Sequence, residues 1–170
     1  DADGSQSRIL KGAALVLGLS ILPLGVMAAI STGQRIDQYG ITPDRLWALI
    51  AVVVGVIYGI APWIALVRGR MKGWAGYLRQ SNLHLAVGLC ALALFLALPI
   101  LDFGAMSTRS QLARLDAGKV KASEFDWQAL KFDFGPAGRA ALMRRIKSGP
   151  DDQKRLAKAA LEQEYRDYYV

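Results

Sequence analysis

The stretch GAALVLGLSILPLGVMAAI, Gly12 to Ile30, runs for 19 residues without a charged side chain. Two more such runs follow: LWALIAVVVGVIYGIAPWIALV, Leu46 to Val67, with 22 residues, and SNLHLAVGLCALALFLALPIL, Ser81 to Leu101, with 21. A hydrocarbon core about 30 Å thick takes roughly 20 helical residues to cross. A helix in water needs a polar face, and none of these runs supplies one. The expected fold is therefore all-α and integral to a membrane. Three transmembrane helices, at about 10–31, 44–67 and 82–101, precede a small helical extramembrane tail. The first run is too long for the apolar part of a signal peptide, and two further spans follow it.

Two regions are expected, a transmembrane region over 1–101 and a polar tail over 102–170, the latter with 13 Lys+Arg and 10 Asp+Glu. A core of that size is marginal alone, so the tail should lean on the membrane surface, the loops or a partner. The net charge of +7 suits anionic lipid, and the bilayer is the expected partner. Nucleic acid is disfavoured: it needs a cytoplasmic tail, and no recognition motif is present.

The single cysteine, Cys90, lies in the third run, which rules out an internal disulfide and a thiol-based metal site. The single histidine, His84, sits one turn into the same run, close to its basic flank. Six residues apart on a helix, the two face away from each other. No Asp, Glu, Lys or Arg occupies the middle of any span, which argues against an ion pathway or proton relay. A phosphate loop, a zinc helix motif and a nucleophile elbow are all absent from the sequence. No catalytic, cofactor-binding or metal-binding residue is assigned, and an enzyme is the less favoured class.

Charge sets the expected orientation. The link from Arg68 to Gln80 holds Arg68, Arg70, Lys72 and Arg79 with no acid, whereas Ser31 to Arg45 balances two arginines with two aspartates. Short loops rich in Lys and Arg stay cytoplasmic, so the N-terminus is expected inside and the tail outside. Trp63, Trp74 and Tyr77 fit an interfacial belt at the inner boundary. Within the spans, Gly55 and Gly59 form a GxxxG pair, matched on the first helix by Ala14/Gly18 and Gly25/Ala29. Such spacing predicts a close crossing of the first two helices. Pro23 and Pro62 interrupt helical hydrogen bonding, which neighbouring helices can absorb.

The outer link ends in Tyr39-Gly40-Ile41-Thr42-Pro43-Asp44-Arg45. Thr42 can cap the second helix, Pro43 suits its first position, and Asp44 complements its positive end. In the tail, Ser107 or Thr108 is expected to cap a helix through Leu115. Ser123 with Asp126 reads as a capping box ahead of an aromatic stretch, Phe125 to Phe134. A further helix is expected over 137–147, and a last one after Pro150 with Ala157, Leu161, Tyr165 and Tyr168 as its apolar stripe. The aromatics read as a small core against that stripe.

Taken in order, Tyr39 to Arg45, Leu101-Asp102-Phe103, Ser110 to Leu115, Phe125-Asp126-Trp127, Leu130 and Phe132 to Gly135 resemble the DUF4153 family of bacterial membrane proteins, related to DUF4173. The resemblance covers roughly 36–146 and implies further membrane helices before this region, but it supplies no reaction. Tyr39, Gly40, Thr42, Pro43, Asp44, Arg45, Phe125, Asp126 and Trp127 are the candidate functional or interaction residues.

The expected role is that of a bacterial inner-membrane anchoring or interaction protein. Its periplasmic helical tail would contact an envelope protein, or upstream helices of the same chain. The alternative is the C-terminal part of a transporter or membrane enzyme whose functional residues lie upstream. There Tyr39, Asp44 and Arg45 would line the outer mouth, with Arg45 as an anion contact.

Overall fold

The computed structural model describes residues 8–69 and 74–167. Among them lie α1 (Arg8–Tyr39), α2 (Pro43–Gly69), α3 (Trp74–Ala97), α4 (Phe103–Asp116), α5 (Trp127–Phe132), α6 (Gly135–Ser148) and α7 (Asp151–Glu162), and no strand. Three stretches, Ile9–Tyr39, Pro43–Arg68 and Gly76–Ala97, are long and apolar enough to cross a membrane. The all-α class with three span-length helices and shorter ones after them is thus what the chain adopts. Arg70 and Lys72 of the basic link, the Trp74 side chain, Tyr168 and Val170 lie outside the described residues.

The chain divides into two units, Asp1–Gln34 with Ala48–Ile100, and Arg35–Trp47 with Leu101–Val170. The outer link therefore groups with the tail helices.

In the first unit α1 and α2 cross where glycine removes the side chain. A Cβ on Gly59 would stand 2.8 Å from the Leu22 backbone, and one on Gly25 would stand 3.0 Å from Val56 Cγ2. Gly55, the other half of the GxxxG pair, has nothing within 4 Å of such an atom. Pro23 lacks an N–H, so the carbonyl four residues back, Leu19, loses its helical donor. Trp63 Nε1 donates to that carbonyl across the crossing at 3.2 Å. An indole assigned from sequence to the interfacial belt thus repairs the proline gap in its neighbour. Outward-facing Leu17, Met27, Leu83 and Leu94 stay exposed, as apolar solvent requires.

The second unit is a small helical head. Its α4 begins at Phe103, not after Ser107, because Asp102 reaches the first exposed amides: its Oδ1 accepts from Ala105 N at 2.8 Å. Ser107 and Thr108 are instead buried within the helix. At α5 the cap is Asp126 itself, which accepts from Ala129 N at 2.9 Å, rather than Ser123. Helix α6 starts at Gly135, with Pro136 in the first turn, where a missing N–H costs nothing. Helix α7 ends at Glu162, so Tyr165 falls beyond it at 79 % exposure, and the buried stripe is Ala157 and Ala160.

Helix α6 is the hub, touching α4, α5 and α7. The core joins Leu130 and Leu142, both fully buried, to Phe125, Trp127 and Phe134. Phe125 meets Trp127 edge-on at 4.8 Å, and the indole N–H of Trp127 donates to Ala122 O at 2.8 Å. Lys131 donates to the carbonyls of Leu161, at 2.8 Å, and Gln163, closing the C-terminus of α7 with a cation where the helix dipole is negative.

Leu142→Ala should cost about 2–5 kcal/mol, the range for an emptied aliphatic core site, and lower the thermal midpoint of the detergent-solubilised chain. For the crossing, a disulfide should form between Gly25→Cys and Val56→Cys in a Cys90→Ser background. Adding Gly59→Leu, which pushes the helices apart, should reduce that cross-link several-fold on a non-reducing gel.

Candidate functional site

Only Gly40, Ile41 and Thr42 separate α1 from α2. Every helix leaves its last carbonyls without partners, and a tight link adds more. Gly40, at φ 76°, turns the chain in the left-handed region that glycine enters without strain, and its N–H donates to Ile36 O at 2.8 Å. The following carbonyls are taken by side chains. Arg114 donates to Asp37 O at 3.2 Å and to Gln38 O. Gln111 donates to Tyr39 O at 2.9 Å and Ile41 O at 3.0 Å. Arg45 donates to Gly40 O at 2.6 Å. Carbonyls 37 to 41 are thereby all satisfied, three of the five by cations at the negative end of α1.

The amides of the link are served in the same way. Ile41 N donates to Ser110 Oγ at 3.0 Å. Thr42 caps α2, its Oγ1 accepting from Arg45 N at 3.4 Å and its carbonyl from Leu46 N at 3.0 Å. Trp47 stacks edge-on against Phe103 at 5.3 Å. A side chain at position 40 has no room, since a Cβ there would come within 2.5 Å of Arg114 Cδ.

This clasp borders a cavity of about 350 Å³. Tyr39, Thr42 and Arg45 come from the link, Gln111 and Arg114 from α4, and Phe125, Asp126 and Phe134 from the aromatic stretch. Arg45 lies over the Tyr39 ring at 5.4 Å from its centroid. The two acids on the wall already have cations: Glu124 faces Lys121 at 3.6 Å, and Asp126 faces Arg166 at 2.9 Å. Arg45 and Arg114 spend their hydrogen bonds on neutral carbonyls and have no carboxylate at ion-pair distance among the described residues. The cavity is therefore cationic on its link side and aromatic behind.

Of the candidate residues, Tyr39, Thr42, Arg45, Phe125 and Asp126 meet around this cavity. Gly40 makes the turn, Pro43 and Asp44 start α2, and Trp127 belongs to the core. Sequence reading did not single out Gln111, Arg114 and Arg166. Arg166 pairs with Asp126 and Asp133 together, so both acids flanking α5 share one cation partner. The only sequence signal for Gln111 and Arg114 is their place in Ser110 to Leu115.

Arg114→Met keeps the aliphatic stem and removes the fork, leaving Asp37 and Gln38 carbonyls unserved. Water can reach both carbonyls, so each charge-assisted bond is worth about 1 kcal/mol, and hydrogen exchange at the Gly40 and Ile41 amides should rise several-fold. Arg114→Lys should recover part of the protection.

The chain matches the family described as "Domain of unknown function (DUF4153)" over residues 1–144. That stretch spans α1 to α5 and most of α6, and it contains the whole clasp. Neither a curated protein nor a solved structure matches the chain. On this match, over most of its length, the chain belongs to the DUF4153 family.

Proposed function

We propose that this chain is an anchoring and interaction protein of the bacterial inner membrane. Its periplasmic helical head would dock an envelope partner through the cavity at the clasp. The observation that carries this reading is the pair of guanidinium groups, Arg45 and Arg114, held beside Tyr39, Phe125 and Phe134 without a carboxylate of their own. A partner with an acidic group next to an apolar side chain fits such a wall. The acid would replace the missing counter-ions and the apolar group would pack on the exposed Tyr39 ring.

Other observations support the reading. The chain's one His and one Cys both lie in α3, so the cavity wall carries neither of these nucleophile or base types. The only hydroxyl oxygens on it are those of Tyr39 and Thr42, and Thr42 is occupied as a cap. Recognition suits this chemistry better than bond-breaking. The acid-free basic link between α2 and α3 supports a cytoplasmic N-terminus and a head outside. The extensive apolar exposure of α1 and α3 supports lipid, or further helices of the same protein, as their neighbour.

The test has two parts. Alkaline phosphatase fused after Val170 should be active, and an inactive fusion with an active cytoplasmic reporter would remove the periplasmic reading. A photo-cross-linker at Glu124, on the cavity wall, should capture one envelope protein in intact cells, while one at Arg155 on α7 should not. Arg45→Ala should reduce that product at least severalfold at unchanged protein level. Equal capture from both positions would refute the docking site.

A further inference from the structure

A second cavity lies elsewhere in the head, between α4 and α6, with a volume of about 670 Å³. Its walls are two matching helix faces. Residues 105, 108, 109, 112, 113 and 116 of α4 oppose 137, 140, 141, 144, 145 and 148 of α6. Both sets follow the same helical spacing, so each lines one continuous face. The two helices run parallel: Gly104 lies against the Phe134 carbonyl at one end, and Arg145 pairs with Asp116 at 2.6 Å at the other. Alanines on both walls keep the cleft open between helices that would otherwise close it.

The charge in this cleft is one-sided. Arg109, Arg144 and Arg145 line it against a single acid, Asp116, and Arg145 already donates to both Asp116 oxygens at 2.6 Å. Two guanidinium groups from opposite walls are left without a carboxylate among the described residues. Thr108, 4 % exposed, also lines the cleft, and its hydroxyl has no hydrogen-bond partner among the described residues. Helix α6 carries four basic residues and no acid, so nothing on its own surface neutralises this wall.

We propose that the α4/α6 cleft binds a phosphate group, with Arg109 and Arg144 as its two charged ligands. Planar guanidinium forks match the several oxygens of a tetrahedral phosphate better than they match a single acceptor. The volume exceeds what a bare ion fills, and the alanine walls accept the apolar part of a larger ligand. The phosphate can come from a lipid headgroup or from a soluble phosphate ester. Arg109 follows Leu101, the end of the third apolar run, by only eight residues, which brings the lipid source within reach. This site is separate from the clasp cavity and stands without it.

The test uses the full chain in an uncharged maltoside detergent, titrated calorimetrically with inorganic pyrophosphate, dihexanoyl phosphatidate and, as zwitterionic control, dihexanoyl phosphatidylcholine. Saturable binding of phosphatidate alone assigns the lipid source, and binding of pyrophosphate assigns the soluble one. In either case Arg109→Gln and Arg144→Gln should each weaken it about tenfold, the usual worth of a charge-assisted contact. Arg155→Gln, on exposed α7, should leave it unchanged. Ala140→Trp fills the cleft without altering charge and should abolish binding, with helical content checked by circular dichroism. Three results would overturn the proposal: no saturable binding beyond the control, equal weakening by Arg155→Gln, or full binding by Ala140→Trp.

Discussion

Five backbone carbonyls at the end of α1 set the terms for the head. A helix that ends at Tyr39 and restarts at Pro43 cannot satisfy its own last acceptors, because the intervening chain is too short to fold back over them. Side chains supply the donors, and Gln111 and Arg114 on α4 make four of the bonds. Each is worth about 1 kcal/mol where water can compete, so their number, not any single bond, holds the link to α4. Position 40 must be glycine on two counts, its positive φ and the approach of Arg114.

The span-length helices were legible because their signal is one of length, and length needs no partner to be read. The ends of α1 and α4 were not. Ser31 to Tyr39 is polar and extends α1 well beyond residue 31, since its terminal carbonyls are capped by residues more than seventy positions away. No local pattern carries that information. At α4 three adequate capping residues, Asp102, Ser107 and Thr108, stand within seven positions, and the first one at the end of the apolar run took the role. The aromatic stretch was legible as a core because aromatic area must be buried. Its ion pairs with Arg166 were not, because Arg166 returns from beyond α7.

The candidate site follows the same division. Tyr39 to Arg45 and Phe125-Asp126 were each visible as unusual local chemistry, yet nothing in the sequence joins them. What joins them is α4, whose exposed-looking Gln111 and Arg114 face the link on one side of the helix. Ser110, Gln111 and Arg114 fall at i, i+1 and i+4, a narrow arc of a helix, so one face serves amide and carbonyls together. The opposite arc, through Thr108, Arg109, Leu112 and Asp116, borders the second cleft. Helix α4 is thus a partition between two differently lined cavities.

A net charge of +7 reads at first as a diffuse basic surface, suited to any polyanion. In the head that surplus is distributed by task. Arg45, Arg114 and Lys131 are spent on carbonyls at helix ends, where the dipole is negative and no carboxylate is needed. Arg145 and Arg166 are spent on Asp116, Asp126 and Asp133, which tie separate helices together. A cation placed on a carbonyl leaves its charge unbalanced, whereas one placed on a carboxylate forms a pair of zero net charge. Arginines without a carboxylate partner among the described residues line two of the head's cavities, at the clasp and in the α4/α6 cleft. Two discrete cationic cavities favour ligands with a single concentrated anionic group over an extended polyanion.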